Sequence, residues 1–224
     1  MTSMLNNLIN QGHYQSILCL NGDLPEPAFF TRNLPIIAAD GAANLLQDAG
    51  ITPDLILGDL DSLRKPWRHP DRIMASPDQN RSDFEKCLLY LETNQLLPTL
   101  IVGLSGGYLD HVLNNVNIFL QTGSLFYAPP IAGFTLPPGT KSLSLPFDTK
   151  ISLMGFPAAA VKTTGLKWEL TDDTPLSFPG KNSCFNRTEA PTVQINVSKG
   201  RLLVLVYLEK IFDAGCNVRS LNTG

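Results

Sequence analysis

The sequence is poor in the features that would mark a metal-finger, secreted or membrane protein. Its four cysteines, Cys19, Cys87, Cys184 and Cys216, are scattered without a CxxC pair, which excludes a zinc-finger pattern and gives no disulfide framework. Reduced thiols in a cytoplasm are expected. No lysine or arginine run offsets the formal net charge of -3, so the chain has no electrostatic footprint for nucleic acid or an anionic membrane. No uninterrupted apolar stretch approaches membrane-spanning length, and the opening MTSMLNNLINQGHY has neither a basic n-region nor a long apolar core. The expectation is a soluble, non-exported, cytoplasmic protein with neither nucleic acid nor membrane as a partner. Also missing are GxxxxGK[ST] and GxGxxG, so any nucleotide must be held by other means.

What is present, at 224 residues and 43% hydrophobic composition, suffices for one large or two small cores. The first half alternates apolar runs with helical patterns. Ser16 to Leu20 reads as a strand closed by Asn21-Gly22-Asp23. Ile36 to Ala39 reads as a strand ending in Asp40-Gly41, and Ala42, Leu45, Leu46 and Ala49 then recur at helical spacing until Gly50. In PDLILGDLDS, from Pro53 to Ser62, a continuous apolar strand of the kind found in covered parallel sheets stops at Gly58, and Asp59 and Asp61 follow. Ile73 to Ala75 and Leu100 to Val102 are further strands. Ser82-Asp83-Phe84-Glu85 has the form of a capping box and starts a helix to about Thr93. Another helix begins at Asp110, with Leu113, Val116, Asn117 and Leu120 on one side. Such alternation predicts βαβ units and a mostly parallel sheet, whose ligands lie beyond the carboxyl ends of its strands.

After Leu136 the texture changes at Pro137-Pro138-Gly139. Short runs at Ile151 to Met154, Ala159 to Thr163, Leu166 to Leu170, Thr192 to Val197 and Leu202 to Leu208 predict an antiparallel, sandwich-like all-β unit. The expected division is therefore residues 1–136, an α/β nucleotide-binding domain, and residues 137–224, a β-sandwich.

If the chain is extended after Gly58, Asp59 and Asp61 point the same way about 6 to 7 Å apart, and a Mg²⁺ between them would relieve their repulsion. They serve equally well as loop-forming carboxylates, with Asp61 capping the next turn. Gly103 to Gly107 lies between a strand and a helix, where backbone amides attract anions, although glycines also serve tight turns. Asp83 and Asp110 each complement a helix dipole without any ligand, and His111 reads as a surface residue. Asp83 otherwise completes a carboxylate cluster while Lys86 reaches a phosphate. Trp168 is either core or a flat face for an aromatic cation.

Five stretches in order, Asp40-Gly41-Ala42-Ala43-Asn44, PDLILGDLDS, SPDQNRSDFEKCL from Ser76, GLSGGYLDHVLNN from Gly103 and TTGLKWEL from Thr163, resemble the thiamin pyrophosphokinase family over most of the chain. The resemblance implies an α/β domain followed by a β-sandwich, a homodimer with an intersubunit active site, and pyrophosphoryl transfer from ATP to thiamin with release of AMP. It implies that Asp59, Asp61 and Asp83 hold Mg²⁺, with Asp40 nearby, and that Gln79 and Lys86 contact ATP. Gly106, Gly107 and Asp110 would shape the nucleotide loop, while Trp168 and Asn186 would serve thiamin. Three positions depart from the family pattern: Asn80 replaces an acid, Tyr108 replaces an arginine, and Phe185-Asn186 replaces a serine-asparagine pair. These departures leave two alternatives open, a binding or regulatory module with weakened transfer, or the same transfer onto a related alcohol.

Overall fold

The computed structural model describes residues 3–64, 67, 69–171 and 175–208. Cys216 and residues 209–224 of the expected second domain lie outside them. Apolar runs and helical patterns in the first part become α1 (Ser3–Asn10), β1 (Ser16–Cys19), β2 (Ile36–Ala39), α2 (Ala42–Asp48), β3 (Leu55–Gly58), β4 (Ile73–Ala75), α3 (Asp83–Thr93), β5 (Thr99–Val102), α4 (Leu109–Phe119) and β6 (Leu125–Ala128). The strands pair in parallel in the order β4-β3-β2-β1-β5-β6. Continuous apolar strands suit this placement because both faces are covered. Ile17 and Cys19 of β1 join the cluster containing Leu5, Leu8 and Ile9 of α1 and Leu46 of α2. Leu18 points the other way, into the cluster of Phe84, Cys87 and Leu91 of α3 and Phe119 of α4.

Helix α1 escaped the sequence reading, although Leu5, Leu8 and Ile9 show the i, i+3, i+4 stripe of a packed face. In α4 the expected side was rotated: Leu113 and Asn117 are exposed, while Ile118, Phe119 and Leu120 are buried. Phe119 packs edge-on against Phe126 of β6 at 5.0 Å, and this contact sets the helix's orientation.

The remaining strands are antiparallel: β7 (Ile131–Leu136), β8 (Gly139–Ser144), β9 (Lys150–Thr164), β10 (Leu176–Ser177), β11 (Ser183–Arg187) and β12 (Thr192–Tyr207). β7 pairs with β6 on one edge and β12 on the other, so one large mixed sheet crosses position 137. The runs Ile151 to Met154 and Ala159 to Thr163 form the single strand β9, and the last two runs form β12. Pairing between β9 and β12 shifts register at Val197/Lys199 and Gly200/Leu202, and such bulges bend strands. The two ends of β12 thereby face different partners, β8 and β7. Inward residues of both ends, including Val193, Ile195, Val204 and Val206, share one apolar cluster with Ile151, Leu153 and Val161. Leu166 to Leu170 is a loop and not a strand, with an isolated bridge between Leu166 and Thr188.

Candidate active site

Strand order places β1 between β2 and β5, and the connections from β1 to β2 and from β5 to β6 run toward opposite edges of the sheet, a switch point of the kind where ligands lie at the carboxyl edge. Their backbones touch there: a Cβ on Gly22 would lie 2.1 Å from the Ser105 carbonyl oxygen. A cavity of about 520 Å³ occupies this edge, lined by residues that include Asn21, Asp40, Ser62, Asp83, Gly106 and Gly107. It joins the acidic strand ends to the glycine loop.

Each acid is aimed by its element. Asp40 follows β2 with φ +39°, a conformation uncommon outside glycine that aspartate tolerates better than most residues. The Ser62 amide donates to its Oδ2 at 3.1 Å. Its Oδ1 is buried without a hydrogen-bond partner. Burial raises the Asp40 carboxyl above the ordinary aspartate range, helped by the Asp83 and Asp59 charges and opposed by hydrogen bonding from Ser62. Asp59 accepts from Gln79 Nε2 at 3.1 Å. That bond, with the Asp61 amide, lowers the Asp59 pKa against a small burial effect.

Asp83 is the first residue of α3. The Glu85 amide donates to Ser82 Oγ at 3.3 Å and the Ser82 amide donates to Glu85 Oε2 at 2.9 Å, completing the expected capping box. With the helix start fixed, Lys86 Nζ reaches Asp83 Oδ1 at 2.8 Å. Lys86 is only 6% exposed, so it meets Asp83 as a buried partner and not as a solvated surface lysine. Burial alone would lower its pKa, but hydrogen bonding and charge from Asp83, together with Asp59 and Asp78, raise it overall.

Oxygens of Asp40, Asp59 and Asp83 lie within 4.8 Å of one another. This convergence depends on Gly58, where a Cβ would stand 2.7 Å from Asp40 Cβ and 3.2 Å from Asp83 Cγ. Asp61 is outside the group. Leu60 takes φ +67°, so the chain is not extended from Asp59 to Asp61 and the two side chains do not share a direction. Asp61 Oδ1 instead accepts from Ser62 Oγ at 2.9 Å.

Gly106 and Gly107, both with positive φ, line the cavity. Asp110 does not, and its Oδ1 accepts from the His111 amide at 2.9 Å. His111 is exposed, as read from sequence, and also lines the cavity beside Tyr108, with ring centroids 5.9 Å apart. Asn114 and Asn115 line it too, one α4 turn beyond His111. Asn21 was missed as well; its signal was a polar residue and a glycine directly after a parallel strand. Of the departures, Asn80 donates through its backbone and side chain to Asp78 Oδ1, and Arg81 pairs with Asp78 at 2.9 Å.

Trp168 and Asn186 lie in the antiparallel part and do not line this cavity. Trp168 is 55% exposed, with Lys167 Nζ 5.1 Å from its ring centroid, so the core reading is excluded. Asn186 is buried, bonded to the Trp168 backbone at both of its polar groups.

Residues 29–126 match the family described as thiamin pyrophosphokinase, catalytic domain. Two rice proteins, thiamine pyrophosphokinase 1 and thiamine pyrophosphokinase 3, are 28% and 29% identical. The alignments cover 80% and 82% of this chain and 82% and 84% of theirs. The yeast thiamin pyrophosphokinase structure shares the fold with a TM-score of 0.76 at 21% identity, over 92% of this chain and 90% of that one. The Bacillus subtilis thiamine pyrophosphokinase structure gives 0.75 at 20% identity, over 87% and 99%.

Proposed function

We propose that this chain, whose residues 29–126 match the thiamin pyrophosphokinase catalytic domain and which is similar over most of its length to two rice thiamine pyrophosphokinases, transfers the pyrophosphoryl group of ATP to the primary hydroxyl of thiamin. The acceptor oxygen bonds to the β-phosphorus, and the bond from that phosphorus to the oxygen it shares with the α-phosphorus breaks. Thiamin diphosphate and AMP leave, and the hydroxyl loses its proton. The observation that carries this reading is that Asp40 and Asp83 line the cavity that Gly106 and Gly107 also line, with an oxygen of Asp59 within 4.8 Å of theirs.

That donor set fits Mg²⁺, an ion that takes oxygen ligands and shares them with substrate phosphates. Asp40 supplies a buried oxygen otherwise left without a partner. We assign Asp59 and Asp83, with Asp40, as the carboxylates that would hold the ion. Bound there, Mg²⁺ would neutralise charge on the phosphate oxygens during transfer. Gln79 keeps Asp59 ionised and oriented through its hydrogen bond, and Lys86, anchored on Asp83, supplies a cation for the phosphates. Gly106 and Gly107 let the backbone approach the nucleotide, with Asp110 fixing the first turn of α4 behind them.

Residues 1–136 then form the nucleotide part and residues 137–224 the thiamin part of a cytoplasmic homodimer. Trp168 lies away from the lining of the acidic cavity, which suits a site completed by a second copy. No described helix is long and apolar enough to cross a membrane.

The exposed Trp168 ring would stack on the cationic thiazolium or its attached pyrimidine. Trp168→Ala is expected to raise KM for thiamin roughly 2- to 30-fold, the range of a cation–π contact, with KM for ATP unchanged. Equal effects on both substrates in steady-state kinetics would count against this role.

A further inference from the structure

We infer that Asn186 is a positioning residue that holds Trp168 in its binding posture before thiamin arrives, and is not itself a contact for the substrate. The inference rests on the proposed role of Trp168. Direct thiamin contact by Asn186, the sequence expectation, meets a simple obstacle: the side chain has no free capacity. A carboxamide offers two N–H donors and one oxygen with two lone pairs. Asn186 Oδ1 accepts from the Trp168 amide at 3.2 Å and from the Arg187 amide at 2.8 Å. Its Nδ2 donates to the Trp168 carbonyl at 2.7 Å and to Ser183 Oγ at 3.1 Å. All four positions are used, and the residue is 1% exposed.

Local structure explains why this one side chain matters. Trp168 lies on the 165–170 loop, where Leu166 forms an isolated bridge with Thr188 but Trp168 belongs to no ladder. The loop is tied on either side of the ring: the Lys167 amide donates to the Arg187 carbonyl at 2.8 Å, and the Leu166 amide donates to Glu169 Oε1 at 3.0 Å. Asn186 bonds both backbone groups of Trp168 itself, as a neighbouring strand would.

β11 delivers Asn186 to that position through a bulge. Ser183 pairs with Leu153 and Asn186 with Ile151, so three steps on β11 oppose two on β9. An extra residue of this kind re-aims the side chains around it. Phe185, with φ +54°, turns outward and stacks on Tyr207 at 5.1 Å between ring centroids, while Asn186 turns inward. The departure from the family's serine-asparagine pair thus falls on the outward residue and leaves the clamp in place.

Trp168 is one of two tryptophans, so Trp67→Phe makes its fluorescence separable. In that background Asn186→Ala is expected to lower the anisotropy of Trp168 in the absence of substrates. It should also raise KM for thiamin roughly 5- to 30-fold, the factor that ordering one backbone residue carries, while KM for ATP stays constant. Asn186→Asp keeps an acceptor for the Trp168 and Arg187 amides and should fall between the two; it carries the same comparison if Asn186→Ala does not fold. Raised KM for thiamin with unchanged anisotropy would make Asn186 a direct contact and overturn the inference. Unchanged anisotropy with unchanged KM would overturn it too, leaving a bond of no consequence for the ring. Failure of the Trp168 reading is a distinct result, Trp168→Ala with unaltered KM for thiamin, and the substrate-free anisotropy does not depend on it.

Discussion

Asp59→Asn is expected to lower kcat by about 10²- to 10³-fold, the loss found when one preorganised electrostatic group is removed from an active site. Stability should hold. The substitution preserves shape, and an asparagine oxygen can still accept the hydrogen bond that Gln79 Nε2 now gives to the carboxylate. It also removes one charge from a group of three acids whose oxygens lie within 4.8 Å, where like charges repel. The same change at Asp83 would be harder to interpret, because Lys86 is buried against that carboxylate and an uncompensated buried charge is destabilising. Steady-state kinetics with saturating Mg-ATP, set beside a thermal melt, reads both quantities. A kcat close to wild type would refute the metal assignment for Asp59.

Gly58→Ala tests the same cluster through position and not through charge. The new methyl would stand 2.7 Å from Asp40 Cβ and 3.2 Å from both Asp83 Cγ and Oδ1, so Asp40 must shift away or β3 must move outward. Displacement of reacting groups by even about 1 Å can cost roughly 10²-fold in rate, and overpacking of this kind typically costs about 1–3 kcal/mol of stability. Both losses are expected together, measured as kcat and as the urea midpoint. Wild-type kcat with an unaltered midpoint would show that the close approach at Gly58 plays no part in assembling the acids.

The parallel half was legible because its determinants are local. Strands such as Leu55–Gly58 are short and apolar, the helices carry 3.6-residue stripes, and the Ser82/Glu85 box appears directly in the chain. Strand ends also gave away the location of Asp40, Asp59 and Asp83, since carboxyl-edge loops of a parallel sheet share one side of the molecule. What could not be read there was the turn at Leu60. A positive φ at a leucine leaves no periodic signal, and it turns Asp61 away from Asp59, while Asp40, from the neighbouring strand, is the third acid of the cluster.

The antiparallel half was less legible for a related reason. Gly155 and Gly200 look like breaks between short strands. In the structure they mark close approaches within long ones: a Cβ on Gly155 would lie 2.2 Å from the Leu176 carbonyl, and one on Gly200 would lie 2.0 Å from that of Ala158. Leu166 to Leu170 has strand-like composition, yet Glu169 accepts from Thr163 Oγ1 at 2.6 Å and from the Leu166 amide, fixing the segment as a loop. The clamp at Asn186 depends on a bulge register that composition does not encode.

Transfer of the pyrophosphoryl group from ATP to thiamin is read from its products. Purified protein incubated with Mg-ATP and thiamin, followed by chromatography, should yield thiamin diphosphate and AMP in equal amounts, with both lost on chelation of the metal. Thiamin binding without formation of either product would contradict the account, as would release of ADP in place of AMP.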